Sequence, residues 1–469
     1  MEAKYSVGFR FTWTLSFPFQ LSTASAATDF MRDSYPMYTL NEALDSVGFG
    51  KYQGFLLAYG ALGWIADAME MMILSFVGSA VQSEWGLSPG YKSLLSTVVF
   101  AGMFFGAFLW GVISDSYGRK KGILGVAIVA AGAGLLSAFS PNYISLIILR
   151  CVAGVGLGGM NIFNTWFLEF VPTANRGAWM IVFSSFWTVG TIFEAALAWV
   201  IVPRFGWRWF IALSSGPSFI VLLLYVLTPE SPRFLCMKGR FNEARNILEK
   251  AALLNGTTLQ TGLLVSDQMQ DCNKEFAPSK NSPLLSPRAD KTYKLKSTFA
   301  SLDQSKCISG ASNLVRSPNA SLYMDVFVTS LAEVPGLIFA AFIVDRVGRK
   351  LSMAIMFVLS SVLLLPLLVH QNEILTVALL FGARAFVSAS FIVACIYAPE
   401  VYPTEMRTTG VGTAIAFGRI GGMICPLVAV GLVSACEQAY AVILFQVVIL
   451  LCALCVLLSP LETSGRDLA

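Results

Sequence analysis

Six charged side chains stand where water is scarce. Asp67, Glu70, Glu194, Glu333, Arg150 and Arg419 all interrupt long apolar runs. An Asp, Lys or Arg at the centre of a membrane helix costs about 2.5–3.5 kcal/mol, so such residues face a partner or a water-filled path. Asp67 and Glu70 lie three apart, hence on one face of a helix. A carboxyl beside a dry cavity takes a proton when its neighbouring cation leaves and gives it up when the cation returns. Arg150 is the candidate cation, and the alternative is a permanent ion bridge that only fixes helix packing. Glu194 and Glu333 are candidates to touch a substrate, although Glu333, near a helix end, also reads as solvated. Arg419 offers a planar fork that favours a carboxylate and repels a bare cation. Its alternative is to snorkel or to pair with a neighbouring acid.

Other chemistries have little basis. With His370 as the single histidine, a histidine-rich metal site or a Ser-His-Asp triad is not expected. The nine cysteines are scattered, apart from Cys452 and Cys455, which sit on an apolar stretch with no His or acid nearby and read as small hydrophobes. No metal, cofactor or enzymatic reaction is expected.

The elements that must position these charges follow from composition. The 469 residues are 56% hydrophobic and 13% charged, with a mean hydropathy of +0.68. Soluble domains are about 25% charged, so a multi-pass all-α membrane protein is expected. A net charge of +4 is too small at this length to suggest a nucleic-acid partner. Runs of about 20 apolar residues cross a bilayer. They fall at Phe55–Gly78, Ser93–Val112, Gly122–Phe139, Tyr143–Phe167, Ala178–Val202 and Trp209–Leu227, then at Val326–Val344, Leu351–Val369, Ile374–Tyr397, Thr408–Val433 and Tyr440–Leu458. Four regions result: an extension over 1–37, a bundle over 38–228, a central loop over 229–322 and a second bundle over 323–469. Lys and Arg gather in alternate loops, at Arg119–Lys121, Arg176 and Arg233, then at Arg346, Arg349, Lys350 and Arg407, which marks those loops as cytosolic.

The two bundles repeat one another. Asp115-Ser-Tyr-Gly118-Arg119-Lys120 returns as Asp345-Arg-Val-Gly348-Arg349-Lys350, a shift of 230. Glu169-x-x-Pro172-x-x-x-Arg176 returns as Glu400-x-x-Pro403-x-x-x-Arg407, a shift of 231. Pro229-Glu230-Ser231 returns loosely as Pro460-Leu-Glu462-Thr463, and Arg150 has its counterpart in Arg384. Signals in one order at nearly one offset indicate an internal duplication.

With Gly111-x-x-x-Asp115-x-x-Gly118-Arg119-Lys120, Arg150-x-x-x-Gly154-x-Gly156-x-Gly158 and Pro229-Glu-Ser-Pro-Arg233, the chain resembles the major facilitator superfamily. It is most similar to the branch of sugar porters and organic cation/carnitine transporters. Trp64-Ile-Ala-Asp67-Ala-Met-Glu70 resembles plant organic cation/carnitine transporter 7-type proteins and bacterial niacin transporters. The resemblance implies two pseudo-symmetric six-helix bundles and alternating access. It implies proton coupling through Asp67, Glu70 and Arg150, with Asp67 and Arg150 as the pair. It implies a charge network at the cytosolic gate from Asp115, Arg119, Glu169, Arg176, Glu230 and Arg233, mirrored by Asp345, Arg349, Arg384, Glu400 and Arg407. Animal organic cation transporters carry an aspartate where Arg419 stands, so a carboxylate-bearing or zwitterionic ion such as nicotinate or carnitine is the expected substrate, ahead of simple cations and sugars. The expected partners are that ion, a proton and the lipid of a plasma or vacuolar membrane.

One register fails. The first span shifted by 231 falls on 286–309, which holds Arg288, Asp290, Lys291, Lys294, Lys296, Asp303 and Lys306. That segment is too charged to cross a bilayer. About eleven spans are therefore expected, with the first helix of the second bundle missing. Counted span by span, Arg346–Lys350 would then face the side opposite its twin. A non-transporting isoform or receptor is the competing expectation.

Overall fold

The computed structural model describes residues 37–172, 176–265, 320–368, 372–434, 438–459 and 461–463. The extension before Met37, the charged segment 286–309, and His370 lie outside the described residues.

The chain enters through β1 (Met37–Thr39) and α1 (Leu40–Val47). Thr39 opens α1 with a reciprocal cap: Glu42 N donates to Thr39 Oγ1 at 3.2 Å and Thr39 N donates to Glu42 Oε2 at 2.9 Å. Long apolar helices follow: α2 (Lys51–Trp85), α3 (Pro89–Tyr117), α4 (Arg119–Ala138), and α5 (Tyr143–Gly158) continued by α6 (Asn161–Leu168). Next come α7 (Arg176–Ser214) and α8 (Gly216–Leu224). The backbone breaks at Gly206 (φ 81°), and Ser214 Oγ donates to Glu194 Oε1 at 2.6 Å. Twenty residues of straight helix span about 30 Å, so α7 must double back there and supplies two crossings.

The region expected as a central loop begins with structure. It forms α9 (Pro232–Met237), α10 (Phe241–Asn255) and β2 (Leu263–Val265), which pairs in parallel with β1 in the register Met37↔Leu263. Tyr38, Leu40, Leu44, Leu235, Leu248 and Leu264 form a small core there, separate from the membrane bundle. Asn255 fastens it to the first span: its Oδ1 accepts from Tyr52 N at 2.9 Å, and its Nδ2 donates to Gln53 Oε1 at 2.8 Å.

The second bundle comprises α11 (Ala320–Leu331), α12 (Glu333–Val347), α13 (Arg349–Leu364), α14 (Glu373–Val401), α15 (Arg407–Ser434) and α16 (Gln438–Leu458). Paired with the first bundle's spans, α11 and α12 together match α3, α13 matches α4, α14 matches α5 with α6, and α15 with α16 match the two legs of α7 and α8. Among the described residues, no helix of the second bundle takes the place that α2 has in the first. The bundles meet along α3 and α15 on one side and along α7 with α11 and α12 on the other. Phe105, Ile144, Leu223, Phe342 and Leu454 stay exposed on the outer faces, as a bilayer environment allows.

The second half is not inverted, against the parity expected from counting apolar runs. The loops after α3 and α14 lie together, because Arg119 Nη2 donates to Thr404 O at 3.1 Å and Thr409 N to Asp115 Oδ2 at 2.7 Å. Val326 and Phe327 pack instead with Phe76, Val77 and Trp207 at the far end. Val265, held beside β1, and Val326 therefore lie at opposite ends of the bundle. Interlocked helix ends decide this orientation, and hydropathy of single runs cannot register them.

Candidate functional site

Three charged layers follow one another from the motif-bearing end inward. In the outermost, Asp115 at the end of α3 reaches across to the first turn of α15. Its Oδ2 accepts from Thr409 N and Thr409 Oγ1, both at 2.7 Å. The first N–H groups of a helix have no partner of their own and carry its positive dipole end, so this carboxylate caps a helix of the opposite bundle. Beside it, Glu169 takes Arg119 at 3.0 Å and, across the bundle boundary, Arg407 at 3.5 Å. Both pairs are wholly buried. Burial pushes the Glu169 carboxyl up, but Arg119 and Arg407 outweigh it and hold the group below its ordinary value.

Each bundle repeats a second device. Glu230 Oε1 accepts from Arg119 N at 2.9 Å and Lys120 N at 3.2 Å, capping α4. Glu462 accepts from Arg349 N at 2.9 Å and Lys350 N at 3.2 Å, capping α13. Burial raises Glu230 above its ordinary value despite those donors. The loose echo of Pro229–Ser231 in Pro460–Thr463 is thus a working copy, completed by Thr463 Oγ1 donating to Glu400 Oε2 at 2.6 Å and Arg349 beside Glu400 at 3.4 Å. The motif glycines are required here. Gly118 and Gly348 turn at φ 108° and 94°, and a Cβ on Gly118 would meet Glu230 Oε2 at 2.3 Å. Arg233 bonds to Asn41 of α1, and Arg176 is buried beside this network. The side chain of Asp345 lies outside the described ones.

The second layer is inside the first bundle. Arg150 Nη1 meets Glu70 Oε2 at 2.8 Å, with both side chains sealed from solvent. This corrects the expected pairing: Arg150 is bonded to Glu70, not to Asp67. One helical turn separates the two acids, enough to send Glu70 toward α5 and Asp67 elsewhere. Glu194, expected at the substrate, is instead fully buried within this bundle, held by Ser214 and close enough to Glu70 and Arg150 to interact electrostatically. Gly134 makes room, since a Cβ there would meet Glu70 Oε1 at 2.6 Å.

The third layer lies between the bundles. A cavity of about 270 Å3 is walled by Trp64, Ser184 and Trp187 on one side and by Glu333, Ser388, Phe391 and Cys395 on the other. The indole rings of Trp64 and Trp187 meet edge to face, centroids 5.5 Å apart. Cys395 interacts electrostatically with both Asp67 and Arg419, and these two charges, on opposite bundles, lie within electrostatic range of each other. Asp67 Oδ1 and Arg419 Nε are buried without a hydrogen-bond partner among the described residues. Arg419 also lies 5.9 Å from the Phe100 ring centroid.

Glu333 is not solvated. It is 5% exposed, accepts from Thr188 Oγ1 of α7 at 3.1 Å, and pairs with Arg384 Nη2 at 3.1 Å. Arg384 therefore does not belong to the motif-end network. It sits near the middle of α14 because it copies Arg150, an intramembrane residue. Sequence reasoning missed Thr188, Ser214 and Thr409, since a hydroxyl in an apolar run carries no periodic signal; only the carboxylates they serve point to them. Cys452 and Cys455 are free thiols. The described residues contain no metal-binding cluster.

Comparison with known proteins agrees with this geometry. Residues 50–302 match a family described as sugar (and other) transporters, and residues 319–467 match the major facilitator superfamily. Organic cation/carnitine transporter 7 of Arabidopsis thaliana is 49% identical, over 93% of this chain and 97% of its own length. That alignment runs over 487 positions, more than the 469 residues present, so the relative holds segments without a counterpart here. The synaptic vesicle 2-related protein of Pongo abelii is 35% identical over 95% of this chain and 85% of its own length. Among solved structures, the proton:xylose symporter XylE bound to 6-bromo-6-deoxy-D-glucose superposes with a TM-score of 0.68 over 89% of this chain and 98% of its own, at 16% identity. That likeness bears on the fold.

Proposed function

Because the chain belongs to the major facilitator superfamily, we propose that it is a proton-coupled secondary transporter for a small carboxylate-bearing or zwitterionic organic ion, of the nicotinate or carnitine kind. The observation that carries the reading is the placing of two opposite charges, Asp67 and Arg419, on opposite bundles within electrostatic range of each other and of Cys395 in the wall of one aromatic cavity. A guanidinium with an unused N–H binds carboxylate by charge-assisted hydrogen bonds. Asp67 and the indole faces of Trp64 and Trp187 suit a cationic or aromatic nitrogen at the other end of the ligand. A bare cation meets Arg419 and is repelled.

The proton is assigned to the sealed layer behind the cavity. Arg150 favours the charged form of Glu70 while it holds it; when the bundles rock and the pair parts, the desolvated carboxyl takes a proton. Glu194, anchored by Ser214, is a second acceptor within reach of the same charge. The motif-end network, cytosolic on this reading, must open in the inward-facing state and so sets the balance between the two states.

The test is uptake by proteoliposomes with and without an inward proton gradient, using nicotinate and carnitine. Glu70→Gln should abolish gradient-driven accumulation while leaving exchange of labelled for unlabelled substrate, and Arg419→Asp should abolish both for carboxylates. Accumulation that survives Glu70→Gln removes the coupling assignment; carboxylate uptake untouched by Arg419→Asp removes the substrate assignment. A second reading, a receptor or non-transporting form of a longer transporter, is favoured because no helix matches α2 in the second bundle among the described residues. Substrate binding without flux supports it.

A further inference from the structure

The duplicated arginines differ in how they are closed. Arg150 is 2% exposed and spent on Glu70, a residue of its own bundle's first helix. Arg384, its copy, leaves 37% of its side chain uncovered and borrows its carboxylate from α12. An intramembrane cation left partly open is costly unless water or a ligand reaches it. Glu333, meanwhile, does two things at once. One oxygen holds Arg384, and the other holds Thr188 of the opposite bundle at 3.1 Å. Glu333 also forms part of the cavity wall.

We propose that Arg384, one helical turn before the cavity-lining Ser388, is a second carboxylate-binding site at the cavity's edge, and that an arriving substrate carboxylate displaces Glu333 from it and so releases the Glu333–Thr188 tie between the bundles. The guanidinium exchanges one carboxylate partner for another, and the 37% of its side chain left uncovered gives the second one room. Glu333, freed from its cation, loses the geometry that aims it at Thr188. Substrate binding is thereby converted into loosening of α7 from α12, the boundary across which the bundles must rock. The proposal rests on the carboxylate reading above; it adds to Arg419 a second arginine that the same carboxylate meets, and gives that binding a mechanical consequence.

The experiment is nicotinate binding to the full chain in lipid nanodiscs, followed by quenching of the cavity tryptophans. Nicotinamide, which lacks the charge, serves as the second probe. Glu333→Gln removes the competing carboxylate and should tighten nicotinate several-fold while leaving nicotinamide unchanged. A misfolded variant cannot give that result. Thr188→Val should also tighten nicotinate, because the tie no longer has to be broken. Arg384→Gln should weaken it at least about tenfold. In the wild-type chain, hydrogen exchange around Thr188 and Glu333 should rise when nicotinate binds; in Thr188→Val it should already be high. Weaker or unchanged binding in Glu333→Gln, or full-strength binding in Arg384→Gln with loss only in Arg419→Gln, overturns the proposal and leaves the transport reading standing. No nicotinate binding by the wild-type chain overturns both.

Discussion

The two bundles are close copies at one end and strangers in the middle. At the motif end, Glu230 caps α4 as Glu462 caps α13, with matching bonds of 2.9 and 3.2 Å. Deeper in, Arg150 is sealed by Glu70, whereas Arg384 is held by Glu333 and half open. Duplication thus preserved the parts that only need a helix end and a carboxylate. Beside Arg384, no helix that matches α2 stands among the described residues. A motif keeps its contacts where its partners are local, whereas the two intramembrane arginines take carboxylates from non-equivalent helices, Arg150 from α2 and Arg384 from α12.

The largest expected effect separates the shared clasp from its copy. Glu169 and both of its arginines are wholly sealed from solvent, whereas Glu400 and Arg349 are each 7% exposed. Removing one member of a buried ion network costs about 3–5 kcal/mol. Glu169→Gln should therefore lower the thermal midpoint in nanodiscs clearly more than Glu400→Gln does; equal drops break the asymmetry. Next come the turn glycines. Gly118→Ala and Gly348→Ala should each cost about 1–3 kcal/mol from positive φ and crowding. The first should cost more, since a Cβ at Gly118 meets Glu230 at 2.3 Å and one at Gly348 meets Glu462 at 3.0 Å. Reversal of that order in chemical unfolding contradicts the packing described.

A smaller effect belongs to the cap across the boundary. Asp115→Ala removes the acceptor for Thr409 and also the partner of Arg119 at 3.1 Å; losing the cap alone costs about 1 kcal/mol, and hydrogen exchange should rise most in the first turn of α15. Exchange rising at α4 instead would place the role of Asp115 within its own bundle. The smallest effect is in pH. Glu169 ionises below its ordinary value, so its contribution is complete above the unfolded value and fades only as pH falls through the lower folded one. The clasp should be level between about pH 5 and 8. Glu230, raised by burial, acts with opposite sign: stability falls as pH rises through the interval between its ordinary and raised values. Glu230→Gln should remove any such slope, and a slope that persists there contradicts the assignment.

Much of this was legible in the residues. Composition implied the helical membrane fold, and the doubled Asp-x-x-Gly-Arg-Lys and Glu-x-x-Pro-x-x-x-Arg stretches implied both the repeat and its charge network. Pairing was less legible. Asp67 and Glu70 share a helix face at the level of spacing, yet only packing decides that Glu70 meets Arg150 while Asp67 faces Arg419. Arg384 falls in sequence order among the repeated gate motifs, and only its pairing with Glu333 shows that it lies deeper, as Arg150 does. The apparent inversion of the second half arose because apolar runs were counted one by one, while the contacts that orient the bundles join residues almost 300 positions apart, as Asp115 and Thr409 do.

That orientation is the point on which the charge network and the cavity both depend. A protease-cleavable tag fused after Ala469 and a second one inserted in the exposed turn after Asn255 should be examined together in sealed vesicles of one sidedness. Interlocked motif ends place both tags on one face, so both are cut or both are protected. One cut and one protected would mean that the halves are inverted relative to each other, and neither the clasp at Glu169 nor the cavity between the bundles would exist as described.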